Sequence, residues 1–347
     1  MYDEGGFRPR LVSGSFVVDS YGFSMRTNMT HRSLFLSTLI ALCLVPLASH
    51  AQESAVPQRR EYRLQALYRA GIAQNYEVVE QTTVERVHSD SSRKTYERTA
   101  TYQVTVRCIE SLDGIAKLVV NIDSLVYRFK SAGVEINYDS QKDITPKNFA
   151  DLNNYAGPLN RTYELTVSPY GEVTKLSGEQ IDFWRDYLQQ NAADLDSVVY
   201  TIWMQSLDRE NLLQYGDLQK RVIPGTRKGV DSTWRHAFTS RIDGVVYEGN
   251  VTSRLASFTG GLYSIITKDT LKARAQQPIH VYGIPYVSNV RDGGAVIDNE
   301  VLLTANGTIN EVKHVSKSWF RGVVKTELFT HNVTTTTMWK LTGQYQW

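Results

Sequence analysis

Tyr96-Glu97-Arg98-Thr99-Ala100-Thr101-Tyr102-Gln103-Val104-Thr105-Val106-Arg107-Cys108-Ile109 alternates bulky or β-branched side chains with polar ones along its length. Successive side chains of a strand point to opposite faces, so Tyr102, Val104, Val106 and Cys108 share one face. One buried and one wet face is the signature of an antiparallel sheet. Cys108 reads as a buried strand residue rather than a nucleophile.

The same rhythm extends in both directions. Tyr76–Val84 precedes it, and charges fall on both faces at Glu77 and Glu80 and, just beyond it, at Glu85 and Arg86. Ser111-Leu112-Asp113-Gly114 is a turn, and Ile115–Phe129 follows with Leu118, Val120 and Ile122 on one face. Gly133–Tyr138 is a shorter strand. Arg161–Val167 and Glu172–Leu176 form a hairpin around Ser168-Pro169-Tyr170-Gly171.

The pattern then changes period. Ser177-Gly178-Glu179-Gln180 matches a capping box, and Ile181, Trp184, Tyr187 and Leu188 recur at helical spacing. A second helix is expected from about Asp194, where Leu195, Val198, Val199, Ile202 and Trp203 make an apolar stripe. Leu212 and Leu213 lie in a third helical stretch closed by Gly216, and Pro224-Gly225 and Gly229 mark a connector. Strands resume as Thr233–Ile242, Val245–Ser257, Leu262–Ala273, His280–Asn289, Val296–Ala305, Thr308–Lys317, Val323–Thr330 and Thr334–Trp347. Asp243-Gly244, Gly260-Gly261, Asp292-Gly293-Gly294 and Asn306-Gly307 are read as turns. Both β halves open on a strand entry after a Gly and carry a late hairpin with a central Gly, which allows a duplication.

The expected fold is therefore mainly β, a β-rich α+β protein. It is a curved antiparallel sheet or half-barrel with a helical insert near residues 178–216. The expected divisions are an N-terminal β half at 52–177, the insert and connector at 178–228, and a C-terminal β half at 229–347.

Gly229-Val230-Asp231-Ser232-Thr233-Trp234 after Pro224, with the strand–Gly–strand units Tyr163–Leu176 and Val301–Val312, resembles an uncharacterised family of exported bacterial proteins. The resemblance covers most of Tyr62–Trp347 and implies an exported β-rich fold, without an activity. The architecture is similar to that of periplasmic lipoprotein-carrier half-barrels, and fold does not imply function.

Upstream, Leu34–Leu47 is an apolar core flanked by Arg26, His31 and Arg32 and followed by Ala48-Ser49-His50-Ala51-Gln52. This is the order of a secretory signal, with cleavage expected between Ala51 and Gln52 by signal peptidase. The core falls short of the ~20 residues that span a bilayer. Met25 or Met29 is the expected start, which makes residues 1–24 a non-native extension. Leu42 before Cys43 argues against a lipoprotein site. The protein is thus expected to pass the secretion machinery into the periplasm, the extracellular space or the outer membrane.

From Gln52 onward the chain has 34 basic and 33 acidic residues, a net charge of +1. That balance makes nucleic acid a poor partner. Cys108 is the one cysteine after the cut, so an intramolecular disulfide is excluded. His88, His236, His280, His314 and His331 show no His-Glu-x-x-His or other ligand spacing, and no metal or cofactor is expected. No Gly-x-Ser-x-Gly elbow is present, and no catalytic residue is assigned.

The candidate site is the aromatic surface of the insert: Phe183, Trp184, Tyr187, Trp203 and Met204. These side chains either fill the core or line a cavity against the sheet that holds a lipid or other apolar molecule. The expected function is non-catalytic: such carriage, or a structural or interaction role in the envelope. Two rivals stay open. Trp339, Leu341, Tyr345 and Trp347 alternate as at the end of an outer-membrane barrel, and a secreted hydrolase is the other.

Overall fold

The structure is a computed structural model that describes residues 60–143, 148–217 and 223–347. The signal segment, its cleavage site and the expected start lie outside the described residues. Fifteen strands and four helices are formed among the described residues. The long N-terminal strands are β2 (Ile72–His88), β3 (Arg93–Leu112) and β4 (Ile115–Ser131), followed by β5 (Val134–Asp139), β6 (Tyr163–Val167) and β7 (Val173–Ser177). After the helices come β9 (Thr233–Ile242), β10 (Val245–Thr259), β11 (Leu262–Ala273), β12 (Pro278–Ile279), β13 (Ser288–Thr304), β14 (Ile309–Val324) and β15 (Glu327–Gln346). A small pair, β1 (Glu61–Tyr62) with β8 (Lys228–Gly229), stands apart.

The strands make one antiparallel sheet in the order β7-β6-β4-β3-β2-β15-β14-β13-β11-β10-β9, with β5 on β4 and β12 on β13. Each half is a meander, and the two join where β2 pairs with β15 over nearly their full lengths, from Ile72↔Gln346 to His88↔Phe329. First and last long strands pair as in a closed barrel, yet β7 and β9 remain free edges. The sheet is open in the middle of the chain. Its convex face is charged along the central strands, with Glu77, Glu85, Lys313 and Lys317 directed outward between buried neighbours. This is the open antiparallel sheet expected; the rival barrel, suggested by the C-terminal aromatics, would need the β7 and β9 edges to pair.

The helical insert bridges the open seam. α4 (Arg209–Leu213) is reached from the β7 side, where Tyr163 Oη donates to the Leu212 carbonyl at 2.7 Å and Arg209 donates to the Val173 carbonyl at 3.2 Å. On the β9 side, Arg241 pairs with Asp208, the N-cap of α4, and Arg274 pairs with Glu210. α3 (Ser197–Ser206) starts at Asp196, whose carboxylate accepts from the Val198 and Val199 amides at 2.9 and 3.1 Å. This is an ordinary N-cap.

Several expected boundaries move. The capping box does not form. Ser177 ends β7, Gly178 is the N-cap of α2 (Glu179–Gln190), and the Asp182 carboxylate reaches back to the Gly178 amide at 3.4 Å. A Cβ at Gly178 would lie 3.0–3.1 Å from Tyr163 and the Thr162 carbonyl, so the tight sheet-to-helix step needs Gly. Residues 280–287 are a loop rather than a strand, interrupted by Gly283 at φ 75° and by Pro285, which has no N–H to give a ladder. Asp292-Gly293-Gly294 is not a turn. It lies inside β13, where Gly293 sits so close to β14 that a Cβ would be 2.5 Å from the Trp319 carbonyl. Val323–Thr330 and Thr334–Trp347 also merge differently: β14 ends at Val324, and β15 runs unbroken from Glu327. One helix was not legible, α1 (Ala150–Ala156) between β5 and β6.

Candidate functional site

The concave face is the site's floor. On β3, Tyr96, Arg98, Ala100 and Tyr102 are buried in phase with Val104, Val106 and Cys108, so Arg98 points inward with the core. It is only 3% exposed. An isolated buried guanidinium is very costly, and this one is doubly paired. Its Nη1 donates to Asp151 Oδ1 of α1 at 3.1 Å, and its Nη2 donates to Asp243 Oδ1.

Asp243 comes from the far edge of the sheet. Asp243-Gly244 forms the β9–β10 turn with φ of 49° and 80°, the pair of positive angles that a type I′ hairpin requires. The tip brings Asp243 to the middle of the sheet, where its Oδ2 lies 2.7 Å from His331 Nε2 of β15. Burial pushes the Asp243 carboxyl up, but Arg98 and the His331 contact outweigh it and hold the carboxyl well below its usual range. Burial likewise opposes the Arg98 charge, and Asp243 leads the groups that keep it ionised.

Glu80 has a different environment. It faces inward on β2, and its Oε1 accepts from Tyr155 Oη of α1 at 3.1 Å and from Thr82 at 3.4 Å. Among the described residues no cation forms an ion pair with it. Burial therefore dominates and raises its carboxyl, with Arg98 only partly opposing.

A cavity of about 40 Å³ lies between Glu80, Arg98, Asp151 and Asp243, with tyrosine rings from Tyr96, Tyr155, Tyr215 and Tyr282 around it. The 280–287 loop is held over it by Arg86 of β2, whose Nη1 donates to the Tyr282 carbonyl at 2.6 Å. His280 Nδ1, Asn154 Oδ1 and Arg98 Nε are buried polar atoms of the same wall without a hydrogen-bond partner. Burial lowers the affinity of His280 for a proton.

A polar belt leads from Glu80 across the C-terminal half. Register places Ser253, Thr267, Asn299, His314, Thr337 and Glu80 opposite one another on successive strands from β10 to β2. Ser253 and Thr267 share a hydrogen bond at 2.6 Å, and both amide atoms of the fully buried Asn299 lack a partner. The belt is one polar row across a face that is otherwise apolar, with Phe238, Val251, Leu255, Ile265, Val301 and Val312 buried beside it.

The expected site residues are placed elsewhere. Phe183, Trp184 and Tyr187 sit on the outer side of α2, where they are 63%, 39% and 46% exposed, while Ile181 and Leu188 take the inward positions. Trp203 and Met204 on α3 are half-buried against the core. Phe183, Trp184 and Tyr187 thus face away from the core, whereas Trp203 and Met204 pack against it. Sequence reading missed Arg98, Asp151, Tyr155, Asp243 and His331 as a group. One signal was present: Arg98 stands two and four residues from Ala100 and Tyr102, in phase with the apolar face.

Among the described residues no group of His, Cys, Asp and Glu is arranged to hold a metal. Gly229–Trp234, which carried the resemblance, runs from the end of β8 through the turn into β9. No protein-family model matches the chain. No curated protein matches it either. Among solved structures, one described as lipid–protein interactions in lipovitellin is similar at 10% identity and a TM-score of 0.39; the match covers 81% of this chain. The chain spans about a quarter of that protein, 26% of its length. A Salmonella typhi OmpF complex with daunomycin is similar at 7% identity and a TM-score of 0.17, over 79% of this chain and 100% of that one.

Proposed function

We propose that this is an exported, non-catalytic binding protein of the bacterial envelope, and that the chamber at Glu80 takes a small polar cation of the primary-amine class. The observation that carries the proposal is the unpaired Glu80 carboxylate. Asp151 and Asp243 share Arg98, whereas Glu80 has hydroxyl donors only. An ammonium group beside it would supply the missing charge, and the surrounding tyrosine faces favour a cation. Asn154 Oδ1 is a ready acceptor in the same wall.

Volume sets the ligand's size. About 40 Å³ admits roughly three water-sized groups, enough for an ammonium head and too little for an acyl chain. Lipid carriage, the class expected from the insert's aromatics, would need a larger apolar volume than this chamber has. The raised Glu80 and lowered Asp243 are also the pattern of a general acid and base. The small volume favours binding, since hydrolysis needs room for a scissile bond and an attacking water.

The test is thermal unfolding of the mature chain with ammonium, methylammonium or ethanolamine chloride, with sodium chloride as the ionic control. A ligand of the native state stabilises by RT ln(1 + [L]/Kd). The expected result is a saturable rise in Tm beyond the sodium control that Glu80→Gln abolishes. Equal shifts with all salts, or a shift that survives Glu80→Gln, would overturn the proposal.

A further inference from the structure

The outer face of α2 shows a second arrangement, independent of the chamber. Trp184 stands between Phe183 and Tyr187 in edge-on contacts, with ring centroids 5.8 and 5.7 Å apart. The Arg161 guanidinium lies 5.4 Å from the Trp184 ring centroid and 5.9 Å from that of Trp203. Arg161 is itself half-buried and donates to the Gly157 carbonyl. The indole is thus braced by a fixed cation while keeping 39% of its surface in solvent.

In front of it is an open depression of about 590 Å³ whose walls include Asn160, Arg161, Glu179, Gln180, Phe183 and Trp184. That volume falls in the ~300–1,000 Å³ range of small-ligand clefts. Its chemistry is specific in kind. The polar members are an amide, a guanidinium, a carboxylate and a second amide, each a planar group offering two or more hydrogen-bonding atoms. Beside them lie exposed aromatic faces.

Three classes of occupant differ in what they would ask of this surface. An anionic membrane would favour basic residues around the aromatics. α2 has Glu179, Asp182 and Asp186 against the single Arg185. An apolar protein surface would leave the planar polar groups desolvated without partners, at a cost. A sugar matches both features, because one face of a pyranose presents C–H bonds to an aromatic ring while its rim presents adjacent hydroxyl pairs. We propose that the cleft between α2 and Asn160-Arg161 is a saccharide-binding site for a short segment of a glycan chain, with Trp184 as the stacking platform and Asn160, Glu179 and Gln180 as hydroxyl partners.

Calorimetric titration of the mature protein with chitotriose, cellotriose and maltotriose tests this. The expected result is saturable binding of at least one of them. Trp184→Ala should weaken it at least about tenfold, the ~1.4 kcal/mol equivalent, whereas Trp319→Ala, an exposed indole on β14 remote in sequence, should leave it unchanged. Should Trp184→Ala not fold, the Asn160→Ala/Gln180→Ala double variant carries the test, and the same loss is expected. Absence of saturable binding for all three glycans overturns the proposal, as does equal weakening by the two Trp variants. Trp184-dependent retention on phosphatidylethanolamine/phosphatidylglycerol vesicles without glycan binding also overturns it, in favour of a lipid surface.

Discussion

Asp243 and His331 are 88 residues apart in the chain and 2.7 Å apart in space. The contact joins the β9–β10 tip to the strand at the centre of the sheet, and Arg98 adds α1 to the same knot through Asp151. Curvature of the sheet is therefore fastened by a buried charge network rather than by apolar packing alone. Asp243→Asn would leave Arg98 without one of its two anions and alter the His331 contact. Removing one member of a buried pair costs about 3–5 kcal/mol. Urea denaturation should show a loss of that order. A loss below about 1 kcal/mol would mean that the network contributes little.

The two shifted carboxyls give opposite pH dependences. Asp243 is depressed in the folded state, so its contribution is present above its unfolded pKa of about 4 and is lost as the pH falls toward its lower folded pKa. Glu80 is raised in the folded state. Relative to the unfolded chain, folding is unburdened by it below its unfolded pKa of about 4.3 and increasingly burdened as the pH rises through its folded value. Glu80→Gln should therefore stabilise the protein at neutral pH and have little effect in acid. Denaturation curves at both pH values check the sign; a greater gain in acid would contradict it.

Two glycines should respond differently to the same substitution. Gly244 has positive φ but open space around a would-be Cβ, so Gly244→Ala should cost only the left-handed strain, about 1–2 kcal/mol. Gly293 faces the Trp319 carbonyl at 2.5 Å and Phe320 Cβ at 2.9 Å from the same position. Gly293→Ala must push β13 and β14 apart and should cost more than Gly244→Ala. Thermal unfolding of both variants ranks them.

α2 offers a matching contrast. Trp184→Ala should change stability by about 0.5 kcal/mol or less, because the ring sits on the surface. Ile181→Ala removes a fully buried side chain and should cost about 2–5 kcal/mol. A reversed order would place Trp184 in the core.

Cys108 is buried and free, and burial raises its thiol pKa. It should react with a thiol reagent such as DTNB only after denaturant is added. Rapid reaction of the native protein would indicate local opening of β3.

The sequence made the strands legible because the concave face keeps a period of two through β2 and β3, and through β4 on either side of a bulge that shifts it from Ile122 to Leu125. Its turns were legible wherever a Gly closes them, as at Asp243-Gly244 and Asn306-Gly307. It misled at Gly293-Gly294, because a close approach of strands and a turn both select glycine. It misled at Phe183, Trp184 and Tyr187, because helical spacing marks a face without saying whether that face turns inward. The chamber was hidden for a different reason. Arg98, Asp151, Asp243 and His331 come from four separate elements, and only folding brings them to one place.

The meeting of β2 with β15 also constrains the order of assembly. Ile72 must find Gln346 across almost the whole described chain before the middle of the sheet exists. Pairings so distant in sequence form slowly, because loop closure must precede any reward from contact. A chain emerging from its N-terminus can build the β2–β7 meander early. Yet the inner edge of that meander, along β2, stays an open template until the last strand arrives, and during that interval it is the surface most exposed to mispairing with another copy.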